Sequence, residues 1–277
     1  MVDGLARIPD NPDTLYDARD SIHIPLSLPF NQGDVFRDVP VPAVLGGGSG
    51  HAMLLMHPCT MREGVALRDV QTVILVTEKS LRKVLGPDNW NKWLKVMPLP
   101  DLNNDHHSTR LGDFMSIWSV AASDVPRSQR VAQLSHQGRL ILQQRLICHF
   151  SRYAPDLREV DRATRPVSEE ILLQGDWVVA ALSALQLDRP GMAMIESLES
   201  LFDAFMRQRP SDSAYSVREM LSIDRERREA HSLCHAQIER FPEGLEAVTG
   251  DVPGNRALVI GATPEGPPPA DSPKPTS

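Results

Sequence analysis

The feature that most constrains the fold of this chain is a change in hydrophobic period near Pro126. Before it, short apolar runs alternate with turn residues, as in "VFRDVP", "HAMLLMH" and "VQTVILVTE". Two later alternating runs, "NKWLKVMPL" and "TRLGDFMSIWSV", follow at short spacing with no long helix between them. Five such strands predict a small antiparallel barrel or strongly curved sheet. Its predicted core comprises Leu54, Met56, Ile74, Val76, Met115 and Ile117.

After Pro126 the apolar residues recur every three or four positions, which predicts helices. The first runs from about Ser135 to Arg152, with an apolar stripe formed by Leu142, Leu146, Phe150 and Tyr153. The second is expected to begin near Pro166 with Ser168 as its N-cap. Two more helical patterns follow in 191–209 and 216–241. Strands first and helices afterwards make the expected fold class α+β, a small antiparallel SH3-like barrel followed by a helical C-terminal region.

These patterns divide the chain into four parts. Residues 1–31 are rich in Asp and Pro and are expected to form an irregular arm. Residues 32–152 are expected to form the barrel with its closing helix, and residues 153–248 a helical extension. Residues 249–277 hold seven prolines and are expected to be a disordered tail.

Charge and cysteine content narrow the classes of function. The formal net charge of −7 argues against electrostatic binding of nucleic acid by the chain as a whole, although a local basic stripe could still bind it. Cys59, Cys148 and Cys234 lie far apart, which suggests reduced thiols in a cytosol. The first residues lack the apolar core of a signal peptide, and nowhere do 18 apolar residues run together. We therefore expect a cytoplasmic protein without a membrane span.

His57 and Cys59 follow a strand apolar on both faces, where Pro58 and a turn-like sequence predict that the strand ends at a rim. On a strand the two side chains share a face but start about 6–7 Å apart, too far for direct pairing. They could share a metal, or either could act with another strand, and Arg62 could lower the thiol pKa. The commoner alternative is a buried structural thiol. We expect Cys59 to be structural and His57 to be the better functional candidate.

Three other features are candidate sites. Gly46 to Gly50 fits a hairpin loop better than a phosphate-binding loop. A phosphate-binding loop contains a lysine and is followed by a helix, whereas this segment is followed by a strand and has no lysine. Asp105, His106 and His107 could join His57 and Cys59 around zinc, but a solvated polar loop fits better. We therefore predict neither metal nor cofactor. Arg145, His149 and Arg152 fall on one helix face, which could contact a phosphate backbone or be an ordinary hydrated face.

Three segments carry a resemblance to a known family. "QGDVFRDVPVP", "HAMLLMHPCTM" and "RVAQLSHQGRLILQQRLI" resemble the PemK/MazF-like barrel superfamily over about Gln32 to Arg152. The resemblance implies an SH3-like barrel related to small ribonuclease toxins that bind RNA, form dimers and are silenced by an antitoxin. Gly33 and Asp34 match the opening Gly-Asp of that family. The arginine that the family carries before its second strand is absent, since Gly50 and His51 stand there.

The resemblance implies two classes of function. In one, the chain is a metal-independent ribonuclease in which His57, Thr60 and Arg62 are catalytic and Asp34, Cys59 and Arg110 line the groove. In the other, the barrel is a non-catalytic module that binds RNA or a partner protein, in phage, prophage or defence biology, and a homodimer fits either class. The missing arginine, the acidic charge balance and the helical extension favour the binding module.

Overall fold

A computed structural model describes residues 4–19, 24–78, 93–103 and 109–241, and the backbone alone of residues 245–248 and 257–260. Its centre is an α+β arrangement, a seven-stranded antiparallel sheet curled into a half-barrel, with helices packed against it. Its strands are Tyr16–Arg19 (β1), Val35–Pro40 (β2), Ser49–Leu54 (β3), Val70–Glu78 (β6), Val96–Pro100 (β7), Thr109–Ala121 (β8) and Arg130–Leu134 (β9). They lie in the order β1-β9-β2-β3-β6-β8-β7. Pro58–Met61 (α1) forms a one-turn helix after β3. Two short strands, Arg62–Glu63 (β4) and Ala66–Leu67 (β5), form a separate small hairpin.

A bulge in β8 decides which of its residues are buried. Ile74 of β6 lies opposite Ile117, but the next residue, Leu75, lies opposite Asp113, so three residues of β8 stand outside the ladder. Phe114 is buried, while Met115 is 63% and Ile117 37% exposed. The prediction that Met115 and Ile117 are core residues was therefore wrong, because the bulge breaks the two-residue alternation on which it rested.

The other predicted core positions are buried or partly buried. Leu54, Ile74 and Val76 are buried, as predicted, and Met56 is partly buried. The β2–β3 connection at Gly46 to Gly48 has positive φ throughout, which confirms a hairpin loop there.

The amino-terminal residues are more regular than the sequence indicated. β1 pairs antiparallel with β9, and Ile8 and Leu15 join the main hydrophobic cluster. The expectation of an irregular arm over residues 1–31 is therefore wrong for residues 16–19, which form a strand. Four residues are too few for a periodic pattern, and the hydrogen bonds of β1 come from β9, more than a hundred positions away.

The helix that follows the sheet, α2 (His136–Ser151), confirms the helix predicted from about Ser135 to Arg152. The Ser135 side chain accepts a hydrogen bond from the Gly138 amide, and Arg152 ends the helix in the left-handed region with φ of 61°. Gly138 allows close packing, because a Cβ atom there would lie 2.4 Å from the Leu15 carbonyl oxygen.

The remaining helices are α3 (Leu157–Ala184), α4 (Met192–Met206), α5 (Val217–Leu221) and α6 (Arg227–Glu239). They enclose a second hydrophobic cluster around Trp177, Phe202 and Met220. The predicted start at Pro166 with Ser168 as N-cap was wrong, since α3 begins after Asp156 and contains Pro166. Proline disfavours a helix interior. Buried side chains before and after it, Val160 and Ile171, hold this helix continuous in the folded protein.

The end of the chain contains backbone structure that composition did not predict. Leu245–Val248 (β10) and Ala257–Ile260 (β11) pair as an antiparallel hairpin, so the expected disorder from residue 249 is corrected at 257–260. This "ALVI" run lacks proline and is apolar, unlike the sequence around it. The rest of the expected tail lies outside the described residues. Within the described ranges, no helix has the length and apolar character needed to cross a membrane.

A fully buried ion pair fixes the segment before β2 to β9. Asp34 and Arg130 are both inaccessible to solvent, with Oδ2 and Nη1 3.0 Å apart. Asp34 also accepts hydrogen bonds from the Gln133 side chain and the Asn31 amide. Arg130 donates to three backbone carbonyls, those of Pro25, Leu28 and Pro29. Asp34 therefore has a structural role, and the prediction that it lines a groove was wrong.

Replacing Asp34 by alanine tests this role. We expect Asp34→Ala to lower the free energy of unfolding by about 3–5 kcal/mol, because it leaves the Arg130 charge buried without its partner. Urea unfolding followed by circular dichroism measures the loss. Asp224→Ala is the matched control, since the Asp224 side chain is 94% exposed and should cost less than about 0.5 kcal/mol. Similar losses in the two variants would contradict the structural role.

Candidate functional site

His57 and Cys59 lie at a helical turn that follows the end of β3. Pro58–Met61 forms a one-turn helix, α1, with His57 as its N-cap and Pro58 at the first position, where a missing N–H costs nothing. The turn brings His57 Nδ1 to 3.0 Å from Cys59 Sγ. The predicted separation of about 6–7 Å assumed an extended strand. It was wrong because the strand has already ended at Leu54.

The hydrogen bonds around His57 identify its protonation state. The Cys59 amide N–H points at the same Nδ1 atom, at 3.5 Å. In the tautomer in which Nδ1 accepts this amide hydrogen, the Cys59 thiol is the donor in the 3.0 Å contact. Partial burial lowers the pKa of His57, which keeps the ring neutral at neutral pH. Cys59 is exposed, so the prediction of a buried structural thiol was wrong.

Cys59 borders a cleft of about 310 Å³ between α1 and the helices α3 and α5. Its polar wall includes Cys59, Arg62, Glu170 and Arg218, and an apolar wall includes Val167 and Ile171. Glu170 and Arg218 are paired at 2.9 Å. The Thr60 hydroxyl lies 3.7 Å from Cys59 Sγ and is exposed. Of the four candidate residues, Cys59 and Arg62 line the cleft, and His57 and Thr60 contact Cys59.

Arg62 has a different environment from the one expected of a catalytic arginine. It is only 7% exposed, and its Nη2 donates to the Gln174 side-chain oxygen. The Gln174 amide donates to Glu199 at 2.6 Å, and Arg127 donates to the same carboxylate oxygen at 2.6 Å. This chain of contacts, here called the buried polar chain, joins the β4–β5 hairpin and the turn before β9 to α3 and α4. Arg62 is a structural residue in it, and its assignment as a catalytic group facing substrate is corrected.

Sequence analysis did not identify the other members of the buried polar chain. Gln174 and Arg127 carry no sequence signature. Glu199 does carry one, because it falls on the same helical stripe as the apolar residues Ile195, Phe202 and Met206, at spacings of four, three and seven residues. A carboxylate in that position needs a buried cation or donor as partner.

Arg110 lies away from His57, near the other end of β3. Its Nη1 donates to His51 Nδ1 at 2.8 Å. Burial and the charge of Arg110 lower the pKa of His51 to about 4. Arg110 and His57 therefore do not form one groove, as the ribonuclease hypothesis required.

The predicted basic stripe on α2 is not continuous. Arg145 is 1% exposed, and its Nη1 lies 3.4 Å from the Val96 carbonyl oxygen. His149 contacts the Leu94 carbonyl and packs against the Phe114 ring. Arg152 is exposed. The hydrated-face prediction was wrong for Arg145 because the sheet covers that side of the helix. Two residues of the predicted apolar stripe, Phe150 and Tyr153, are exposed instead.

The candidate zinc ligands lie in two separate segments of the chain. The loop with Asp105, His106 and His107 lies outside the described residues. Among the residues that the structure does describe, no three His, Cys, Asp or Glu side chains are grouped to hold a metal ion.

Comparison with known proteins adds no assignment. No model of a known family matches the sequence, and the search of curated proteins finds no match.

The structural role of Arg62 predicts a large effect of its removal on stability. We expect Arg62→Ala to lower the free energy of unfolding by about 3 kcal/mol, because the Gln174 side-chain oxygen loses a buried charged donor. Arg207→Ala is the control, since the Arg207 side chain is 64% exposed and pairs only at the surface with Asp203. Urea midpoints measure both changes. A loss below about 1 kcal/mol in Arg62→Ala would contradict the role.

The low pKa of His51 predicts a loss of stability in mild acid. The unfolded chain takes up a proton near pH 6.5 and the folded chain near pH 4, so stability falls as the pH drops between these values. Because His51 is only half-buried, we discount the effect to about 1 kcal/mol between pH 7 and 5. His51→Gln keeps an acceptor for Arg110 and cannot titrate. Its unfolding free energy should therefore fall less over this range than that of the wild type, and parallel curves would refute the assignment.

Proposed function

We propose that this chain is a non-catalytic interaction module built on a PemK/MazF-like, SH3-like barrel, with the helical region docked on it. The curled antiparallel sheet and the α2 helix packed against it support this relationship. The observation that carries the proposal is the sequestration of the charged groups that a related ribonuclease would use. Asp34 is fully buried against Arg130, and Arg62 is held in the buried polar chain.

The binding surface that we assign lies on the β6–β8 side of the sheet. A groove of about 450 Å³ is lined by Pro40, Val41, Pro42, Val70, Trp118 and Asp124, among others. Trp118 donates its indole N–H to the Pro40 carbonyl, which holds the ring against the proline-containing hairpin. Val70 is 59% exposed at the edge of the groove. We call this surface the Trp118 groove.

The lining of the Trp118 groove favours a protein segment over RNA. The charged residue in its lining is Asp124, which carries a negative charge. A nucleic-acid surface needs Lys or Arg to neutralise phosphates. Grooves lined by aromatic and apolar side chains bind extended, proline-rich segments, whose restricted backbone loses little entropy on binding. The partner that fits is therefore an extended proline-rich peptide.

The sequence of this chain supplies a probe, because residues 263–277 read "TPEGPPPADSPKPTS". We expect a fluorescent peptide of this sequence to bind the full chain saturably, with a Kd of about 10–100 µM. Val70→Asp should weaken binding at least about tenfold by placing a charge at the apolar edge. Val179→Asp is the matched control, since Val179 is 56% exposed on α3 and does not line the groove. Fluorescence anisotropy measures all three.

Two results would overturn the proposal. One is peptide binding that is absent, or that Val70→Asp and Val179→Asp affect equally. The other is cleavage of RNA by the purified chain, lost in His57→Ala, which would establish the ribonuclease instead. We expect neither cleavage nor retardation of RNA.

A further inference from the structure

One end of the Trp118 groove carries negative charge. Asp124 lines the groove, and its Oδ2 accepts a hydrogen bond from the Ala121 amide at 3.1 Å. The amide of the next residue, Ala122, donates to the backbone carbonyl of Asp69 at 2.8 Å. Both aspartates are therefore held at the same point of the surface, and Asp69 is exposed beside the groove.

This acidic end differs from the rest of the groove. Trp118 bonds to the Pro40 carbonyl and forms an end made of an aromatic ring and prolines. Ala121 follows Trp118 by three residues of β8, which places the acidic end about 10 Å away along the strand. A groove with two unlike ends can distinguish the two directions in which an extended segment could lie.

The arginines nearest in sequence to these aspartates are engaged elsewhere. Arg68, next to Asp69, donates from Nε to the carbonyl of the first residue of β4 at 3.3 Å. Arg127, three residues after Asp124, is a member of the buried polar chain. Neither arginine pairs with Asp69 or Asp124, so the negative charge at this end can attract a cation from a partner.

The apolar edge next to the carboxylates suits a long basic side chain. Val70 follows Asp69, lies opposite Ala121 in the β6–β8 ladder and is 59% exposed. Lysine and arginine cover apolar surface with their methylene groups and place their charge beyond it. A basic side chain laid over Val70 would bring its charge to the two aspartates, whereas an acidic one would be repelled.

We propose that the segment bound in the Trp118 groove carries a lysine or arginine among its prolines, and that this residue packs on Val70 and pairs with Asp69 and Asp124. The inference rests on the proposed function, because it assigns the chemistry of the partner at the same groove. The prolines keep the segment extended. The basic residue sets the direction in which the segment lies, since only one end of the groove is acidic.

Three peptides test the proposal on the full chain. The peptide 263–277 contains one basic residue, Lys274, between Pro273 and Pro275. The second peptide carries Lys274→Arg and the third Lys274→Gln. In fluorescence anisotropy we expect the arginine peptide to bind as well as the lysine peptide, and the glutamine peptide about three- to fivefold more weakly. Raising the salt concentration from about 50 mM to about 500 mM should remove most of this difference.

Two double variants locate the charge effect. Asp69→Asn with Asp124→Asn removes both carboxylates and keeps an oxygen for the Ala121 amide, so it should bind all three peptides as weakly as the wild type binds the glutamine peptide. Asp212→Asn with Asp224→Asn is the matched control. It changes the net charge equally at exposed positions that do not line the groove, and it should keep the preference for a basic residue.

The outcomes separate this inference from the proposed function. Equal binding of the lysine and glutamine peptides to the wild-type chain would overturn the inference and leave a proline-rich partner standing. Loss of the preference in the control variant to the same extent as in Asp69→Asn with Asp124→Asn would also overturn it, because the effect would then come from net charge alone. Absence of binding by all three peptides would instead overturn the proposed function itself.

Discussion

Buried arginine contacts hold the parts of this protein together. Arg130 joins the segment before β2 to the β9 strand through Asp34 and three backbone carbonyls. The buried polar chain from Arg62 to Glu199 joins the β4–β5 hairpin to the helical region. Each guanidinium has several donors in a fixed plane, so one side chain can bond to groups from separate segments. Burying such charges is costly unless they are paired, which makes the arrangement specific to this packing.

The same contacts limit what the protein can do. An arginine that stabilises a phosphorane must reach substrate, and Arg62 directs Nη2 to a glutamine inside the protein. The exposed Cys59 lines the same cleft, and His57 and Thr60 contact its sulfur. A neutral imidazole bonded to a thiol suits sulfur chemistry better than phosphoryl transfer. The Trp118 groove offers a second surface, whose apolar lining suits a peptide.

Local patterns predicted those parts of the fold that depend on near neighbours. The α2 helix, its Ser135 cap and the glycine hairpin loop follow from residues within a few positions of one another. The patterns failed where distant residues intervene. Met115 is exposed because the register of β8 against β6 shifts, and Pro166 is helical because packing on both sides of it outweighs its local preference. The candidate site shows the same division, since the sequence identified His57 and Cys59 but misplaced them by assuming an extended strand.

By itself the sequence determined the fold class, since a period of two gives way to a period near 3.6 at about Pro126, and that order specifies a sheet followed by helices. It also determined that β3 must end near Pro58, because proline cannot donate to a ladder. Only the tertiary structure decided which charged residues are buried. Burial of Asp34 or Arg62 depends on partners about a hundred positions away, Arg130 and Gln174, and no local pattern records a contact over that distance.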